Sequence, residues 1–282
     1  MKIIDPHIHL FDLSKGEYGW LKPENQPNWP DKSRIFRSFS EEDLTLGMSN
    51  TLAGFVHIEA GFDNNAPWRE IEWLERICQK PFKSIAAIDL TLPPASFKHQ
   101  VSKLKVLNSV VGVRHILDDD LPAILSHQNT AINLLTLDNL GWIFELQFDL
   151  NNTDFTLLCV DKLTPFNNIK FTLNHCGFIN LSHSEINSQF YQNLISVSQL
   201  PNIAVKCSGW EMIDRAYGFA DVHFAVLKCI DIFGPKKVMY ASNFPLCTFS
   251  YGYQQYWQEL NKLNIVHAQA LFHDNAHTWY QF

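Results

Sequence analysis

The most suggestive chemical feature of the chain is a pair of histidines near its start, His7 and His9, which are separated by one residue. They follow an apolar run, and residues i and i+2 of an extended strand lie on the same side. His175 follows a second apolar run, Lys-Phe-Thr-Leu-Asn. Imidazole is a common metal ligand and proton carrier. The pattern predicts that His7, His9 and His175 bind one divalent ion, Zn²⁺ or Mn²⁺, or contact substrate directly; the alternative is that His7 and His9 only end a strand.

Eight short apolar, β-branched runs recur along the chain and predict the strands that position these histidines. After the long first gap, their spacing leaves room for one helix each, which is typical of βα units. We expect one α/β domain over residues 1–282, a single (β/α)8 TIM barrel. An open doubly wound sheet is the alternative, although the chain lacks a G-x-G-x-x-G turn. The runs are 2–5, 54–59, 84–89, 110–114, 142–148, 169–174, 203–206 and 237–241, and helical patterns cover 67–80, 184–199 and 220–233.

The segment between the first two predicted strands, residues 10–52, is long and rich in proline, tryptophan and charge. Loops of this length are uncommon and often functional. We expect a long loop after strand 1 that covers the barrel mouth, with Trp20 in contact with substrate. The alternative is a surface excursion with its own packed aromatic residues.

Other polar side chains come at predicted strand ends, which converge on one cavity in a barrel. Arg114 is expected to bind a substrate carboxylate or carbonyl, or else to pair with Asp89 or Glu145. Lys206 is expected either to hold an anion in the mouth or to pair with a neighbouring carboxylate. Gln147 is expected to form hydrogen bonds with the substrate.

Composition limits the partners and the compartment. The 282 residues include 22 basic and 29 acidic side chains, so binding of nucleic acid through bulk charge is not expected. The six cysteines form no C-x-x-C pair, which favours free thiols in a reducing compartment. Neither a signal peptide nor a long apolar run is present, so we expect a cytoplasmic protein without a membrane partner. Its expected partner is a small-molecule substrate, and self-association stays open.

Several motifs occur in the order of the amidohydrolase superfamily, which this chain therefore resembles. Asp5-Pro6-His7-Ile8-His9 is similar to its D-x-H-x-H opening, and the similarity continues to Asn275-Ala276. The pattern is that of the branch with 2-pyrone-4,6-dicarboxylate lactonase and the sugar-acid lactonases. The remaining motifs are Tyr18-Gly19-Trp20-Leu21, Val56-His57-Ile58-Glu59-Ala60, Trp73-Leu74, Gly112-Val113-Arg114, Leu173-Asn174-His175-Cys176-Gly177, Val205-Lys206-Cys207-Ser208-Gly209 and Ala241-Ser242-Asn243-Phe244-Pro245.

This resemblance implies a barrel hydrolase in which His7, His9 and His175 occupy metal or substrate positions. In metal-using members, water bound to the ion attacks a carbonyl, and the strand-8 aspartate takes the proton. We therefore expect hydrolysis of a small cyclic ester or amide, in particular the lactone of a sugar acid or a dicarboxylate. A metal-dependent decarboxylase of the same superfamily is the alternative enzyme.

The chain departs from the family pattern at strand 8, where Asn243 replaces the aspartate. An amide cannot act as a general base. Three interpretations stay open. The base lies elsewhere, with Glu59, His175 and His57 as candidates; or the enzyme works without metal, through its histidines and Arg114; or the chain only binds a ligand.

Overall fold

The computed structural model describes residues 1–180 and 188–282, which contain eight parallel strands in one sheet of order β1 to β8. The sheet nearly closes on itself, because His9 N donates to Phe244 O over 2.7 Å and Asn243 N donates to His7 O over 3.0 Å. The strands are β1 (Lys2–Ile8), β2 (Thr51–Ile58), β3 (Phe82–Ala87), β4 (Val110–Arg114), β5 (Ile143–Leu146), β6 (Lys170–Leu173), β7 (Ile203–Cys207) and β8 (Val238–Tyr240).

α-Helices connect the successive strands from β2 to β8, and short 3-10 turns lie between β1 and β2. The predicted (β/α)8 barrel is therefore confirmed, and the open-sheet alternative is wrong. All eight predicted strands are present, with ends that differ by a few residues. The predicted helix 184–199 lies partly outside the described residues, and its remainder forms α6. The helices are α1 (Trp68–Ile77), α2 (Pro94–Leu104), α3 (Leu121–Leu125), α4 (Thr130–Asp138), α5 (Thr153–Leu163), α6 (Ser188–Ser198), α7 (Trp210–Ile213), α8 (Phe219–Phe233), α9 (Tyr253–Lys262) and α10 (Asn275–Tyr280).

The lower half of the barrel interior is apolar, and the C-terminal helix closes it. Inward side chains of the strands, such as Ile4, Ile85 and Met239, pack with Tyr280 of α10. The Tyr280 hydroxyl reaches up to Glu145 Oε1 at 2.9 Å. With the amino ends of the strands filled, the open end of the barrel is the one where the strands finish.

The long segment after β1 is fastened to the parts of the rim that follow β7 and β8. Arg34 donates to Phe249 O over 2.7 Å and to Thr248 O over 2.6 Å. Asp31 pairs with Arg215, which follows β7, at 3.0 Å. This segment is therefore a fixed wall beside the mouth.

Across the described ranges, no helix has both the length and the apolar character needed to cross a lipid bilayer.

Candidate active site

A cavity of about 680 Å³ opens where the strands end, a size typical of small-molecule sites. Its walls come from the loops after the strands and from the long segment after β1. The lining residues that could contact a ligand through polar or aromatic groups are His9, Glu17, Trp20, Trp29, Glu59, Asn64, Arg114, Asp118, Gln147, His175, Phe178 and Asn243.

His9 is held in one tautomer by the end of β2. Its Nδ1 lies 2.9 Å from Ile58 O and 3.1 Å from Glu59 O, and carbonyl oxygens only accept hydrogen bonds. Nδ1 therefore carries the proton. The lone pair of His9 is on Nε2, where it can accept a proton from a ligand or from water.

His175 lies in a left-handed turn directly after β6. The angle φ is positive at four successive residues, from 55° at His175 to 61° at Phe178. Only one of the four, Gly177, tolerates this conformation without cost, so the turn carries strain of the kind found at functional sites. Gly209 leaves room for the His175 ring, because a Cβ there would lie 2.5 Å from Nδ1. That nitrogen lies 3.0 Å from Ser208 Oγ.

His7 forms the floor of the site and packs against both other rings, with centroids 5.1 Å from His9 and 4.7 Å from His175. The Lys206 ammonium donates to His7 Nδ1 over 3.3 Å and pairs with Glu145 Oε1 at 2.5 Å. Since Nδ1 accepts, the proton of a neutral His7 is on Nε2. That nitrogen is buried and has no hydrogen-bond partner among the described residues.

The three imidazoles are electrically neutral at pH 7. Burial, and then Lys206, hold the pKa of His7 well below its usual range; burial and Arg114 do the same for His9. Burial and then Arg114 lower the pKa of His175 to about 3. Each ring can therefore donate or accept a hydrogen bond without carrying charge.

The three histidines do not form a single-ion site in this arrangement. Within residues 1–180 and 188–282, only one group of three His, Cys, Asp or Glu side chains has all its ligand atoms within 4.8 Å of one another, and it consists of Cys176, Cys207 and Cys229. In addition, the tautomer of His7 presents a proton, where a metal ligand needs a lone pair. Both observations disfavour a divalent ion held by His7, His9 and His175.

The opposite wall carries charges that satisfy one another. Glu59 Oε1 accepts from Arg114 Nε at 2.9 Å and from Nη2 at 2.6 Å. Arg114 Nη1 donates to Gln147 Oε1 over 3.0 Å, and Gln147 Nε2 faces Asp118 Oδ2 at 3.4 Å. The ion pair expected for Arg114 exists, but its partner is Glu59, not Asp89 or Glu145.

Asn243 lies three residues after the end of β8, has φ at 61° and lines the cavity. Its Nδ2 donates to Glu211 Oε1 over 2.6 Å, which leaves Oδ1 as the acceptor that is free to face a ligand. Burial raises the pKa of Glu211 to about 7. A carboxyl group thus lies directly behind the position where the family pattern has one.

Two predicted site residues need correction because their side chains do not line the cavity. His57 is on the outer face of β2, where Nδ1 accepts from Leu10 N at 3.2 Å and Nε2 donates to Glu70 Oε1 over 3.2 Å. In a regular strand His57 and Glu59 would lie on the same face. The regular strand ends at Ile58, however, and only the Glu59 side chain reaches the cavity, where it contacts Arg114. The Lys206 side chain points into the barrel below the floor of the cavity, where it is fully buried and pairs with Glu145.

The remaining predicted residues, His9, His175, Asn243, Glu59, Arg114, Gln147 and Trp20, do line one cavity, with His7 beneath them. The loop containing Trp20 also supplies Trp29, which the sequence reasoning did not single out. Glu211 and Ser208 were missed as well. Both follow β7 within a few residues, so a search of whole strand-end loops would have found them.

Comparison with known proteins gives a consistent assignment. A protein of Sinorhizobium fredii described as uncharacterized protein y4mH is 27% identical, with 99% of this chain and 98% of that protein covered. An amidohydrolase of Burkholderia multivorans with bound zinc has a TM-score of 0.81 at 17% identity, with 100% of both chains covered. A probable 2-pyrone-4,6-dicarboxylic acid hydrolase of Acinetobacter baumannii with citric acid bound has a TM-score of 0.72 at 18% identity, also over 100% of both.

These structural similarities support the barrel fold. The amidohydrolase family pattern itself matches residues 4–282, which is nearly the whole chain, and the chain therefore belongs to the amidohydrolase family.

Proposed function

We propose that this protein is a lactonase that hydrolyses an uncharged, polyhydroxylated lactone, such as that of a sugar acid, without a metal ion. The observation that carries the proposal is the charge of the cavity wall. Its lining contains three carboxylates, Glu17, Glu59 and Asp118, and one guanidinium, Arg114. That guanidinium is already paired with Glu59. The described residues that line the cavity offer a dicarboxylate no unpaired cation, and their carboxylates would repel it.

The same wall suits hydroxyl groups. Carboxylates and Gln147 offer acceptors and donors at fixed positions, and sugar hydroxyls can pair with either. Trp20 and Trp29 stand beside them with their ring centroids 6.4 Å apart. Trp20 is oriented by its Nε1, which donates to Ala60 O over 2.7 Å. Rigid aromatic faces of this kind cover the apolar side of a sugar ring at low entropic cost.

The chemistry follows from the tautomers of the histidines. A water held by Asn243 Oδ1 and His9 Nε2 attacks the lactone carbonyl carbon, and His9 takes its proton. The carbonyl oxygen reaches down to the floor of the site and accepts from the Nε2 proton of His7, which has no hydrogen-bond partner among the described residues. The ring C–O bond then breaks, and His9 returns the proton to the leaving oxygen. The product is the open-chain hydroxy acid.

A decarboxylase is less well supported, because its substrate carries a carboxylate that the acidic wall would repel. A ligand-binding barrel would need no proton acceptor beside the cavity. Both alternatives can be separated from hydrolysis by experiment.

The test measures hydrolysis of a panel of lactones by the acid that they release, which a pH indicator detects in weakly buffered solution. Each lactone is assayed with enzyme treated with a chelator and with enzyme supplied with Zn²⁺ or Mn²⁺. We expect turnover of neutral aldonolactones, little turnover of pyrone dicarboxylates, and the same rate with and without metal. Activity that appears only with added metal would refute the metal-free mechanism. Release of CO₂ from a hydroxybenzoate would identify a decarboxylase, and tight lactone binding without acid release would identify a binding protein.

A further inference from the structure

Three cysteines form a cluster behind the active site, between the sheet and α8. Cys176 belongs to the left-handed turn after β6, Cys207 is the last residue of β7, and Cys229 is in α8. All three are fully buried, and their sulfur atoms lie within 4.8 Å of one another. The Sγ atoms of Cys176 and Cys229 are 3.6 Å apart.

We infer that these three sulfurs form a binding site for a single soft, thiophilic cation, for which Cu(I) is the best fit. Three thiolates around one ion at a metal–sulfur distance of about 2.3 Å would lie about 4 Å from each other in a plane. The observed spacing needs only a small adjustment to reach this geometry.

The number and type of ligands favour Cu(I) over zinc. A structural zinc site uses four ligands, and the cluster offers three. Hard cations such as Mg²⁺ prefer oxygen ligands, whereas thiolates select soft ions, Cu(I) among them. The three cysteines belong to the same buried apolar core as Val205 of β7 and Val226 and Phe233 of α8. Such surroundings exclude water, which favours retention of a soft ion.

The alternative is that the cysteines only fill volume, as small apolar residues do. Cys159 allows the two interpretations to be compared, because it is equally buried but lies outside the cluster. Two of the clustered residues are also next to residues of the active site. Cys176 follows His175, and Cys207 precedes Ser208, whose Oγ contacts the His175 ring.

The test is a titration of fully reduced protein with Cu(I) under nitrogen, in competition with a chromophoric Cu(I) chelator. We expect one equivalent of copper to be retained, with the ultraviolet absorption of sulfur-to-copper charge transfer. Cys229→Ser should weaken retention by more than about 100-fold, since loss of a direct ligand costs more than loss of an outer contact. Cys159→Ser is the matched control and should bind copper like the wild type.

The variant His9→Ala distinguishes copper bound by the cysteines from copper bound by the active-site histidines. It should leave the charge-transfer absorption unchanged. Cys229→Ala serves if the serine variant does not fold, as judged by circular dichroism. Equal copper retention in folded wild type and Cys229 variants, or none in the wild type, would overturn the proposal. So would a Cys176–Cys229 disulfide, found by mass spectrometry after mild oxidation, in protein that retains no Cu(I) when reduced.

Discussion

The two sides of the barrel mouth are built on different principles. On the side of β1 and β6, His7, His9 and His175 are neutral, and each keeps one ring nitrogen without a hydrogen bond to the described residues. On the side of β2, β4 and β5, Glu59, Arg114 and Gln147 are charged or polar and bond to one another. The histidines can take part in proton transfer because each has a ring nitrogen that is free to bond to a ligand. The side chains of Glu59, Arg114 and Gln147 bond to one another, and they give the cavity its shape and charge.

The largest effect is expected from His9→Ala, which removes the proposed proton acceptor from the reactive side. General base catalysis contributes roughly 10²- to 10⁴-fold, so kcat/KM for the best lactone should fall by that factor. The matched control is His115→Ala, a histidine next to β4 that does not line the cavity. A loss below about threefold in His9→Ala would place the reactive groups on the other side of the mouth.

Next in size is the effect of His57→Leu on stability, because this histidine satisfies buried groups outside the cavity. The variant removes the acceptor of Leu10 N and one of the two donors to Glu70 Oε1, the other being Ala60 N. We expect the free energy of unfolding to fall by about 3 kcal/mol, measured in urea, with kcat/KM of the folded fraction unchanged. A double variant, His57→Leu with Glu70→Gln, should recover part of the loss. A selective loss of kcat/KM in stable protein would assign His57 to the reaction after all.

A pH-dependent effect of up to about 3 kcal/mol is expected from Glu211, which lies behind the reactive side. Burial raises its pKa from an ordinary 4.5 to about 7. Its protonated form therefore favours the folded state, and this contribution is complete below about pH 4.5 and lost as the pH rises through 7. Glu211→Gln should remove that dependence, so its stability relative to the wild type should rise between about pH 4.5 and 7 and level off above that. Parallel urea midpoints at all pH values would contradict the raised pKa.

The smallest expected effect is a change in substrate selectivity. It is expected when the ion pair of Glu59 and Arg114 is broken, so that Arg114 can bind substrate. Glu59→Gln releases the charge of Arg114, which now pairs with Glu59 Oε1 at 2.6 Å. We expect the ratio of kcat/KM for an anionic lactone to that for a neutral lactone to rise by about tenfold. Gln147→Glu provides the opposite control, since it adds a carboxylate to the same wall. An unchanged ratio in both variants would mean that this wall does not face the substrate.

Much of the site could be predicted because strand ends in a barrel converge whatever the sequences of the loops. That rule brought His7, His9, His175, Arg114 and Asn243 to one place before any coordinates were known. It did not decide between the two expected roles of Lys206, of which the structure shows the pairing with a carboxylate, Glu145. It also did not place His57, which lies outside the cavity, because the alternation of side chains along a strand says neither where the regular strand ends nor how deep a side chain lies. Glu211 was missed since it reaches the site from the short helix after β7, not from a strand.

The sequence by itself determined the barrel, through eight apolar runs at helix-sized intervals, and it identified the absent strand-8 carboxylate. The tertiary structure decided what the remaining groups can do. Whether a histidine offers a proton or a lone pair depends on the partner of its other nitrogen. Those partners are Ile58 O for His9 and Lys206 for His7, residues far apart in the chain. Whether the guanidinium of Arg114 is free to bind a substrate likewise depends on its pairing with Glu59, so tautomer and pairing are properties that only the folded chain defines.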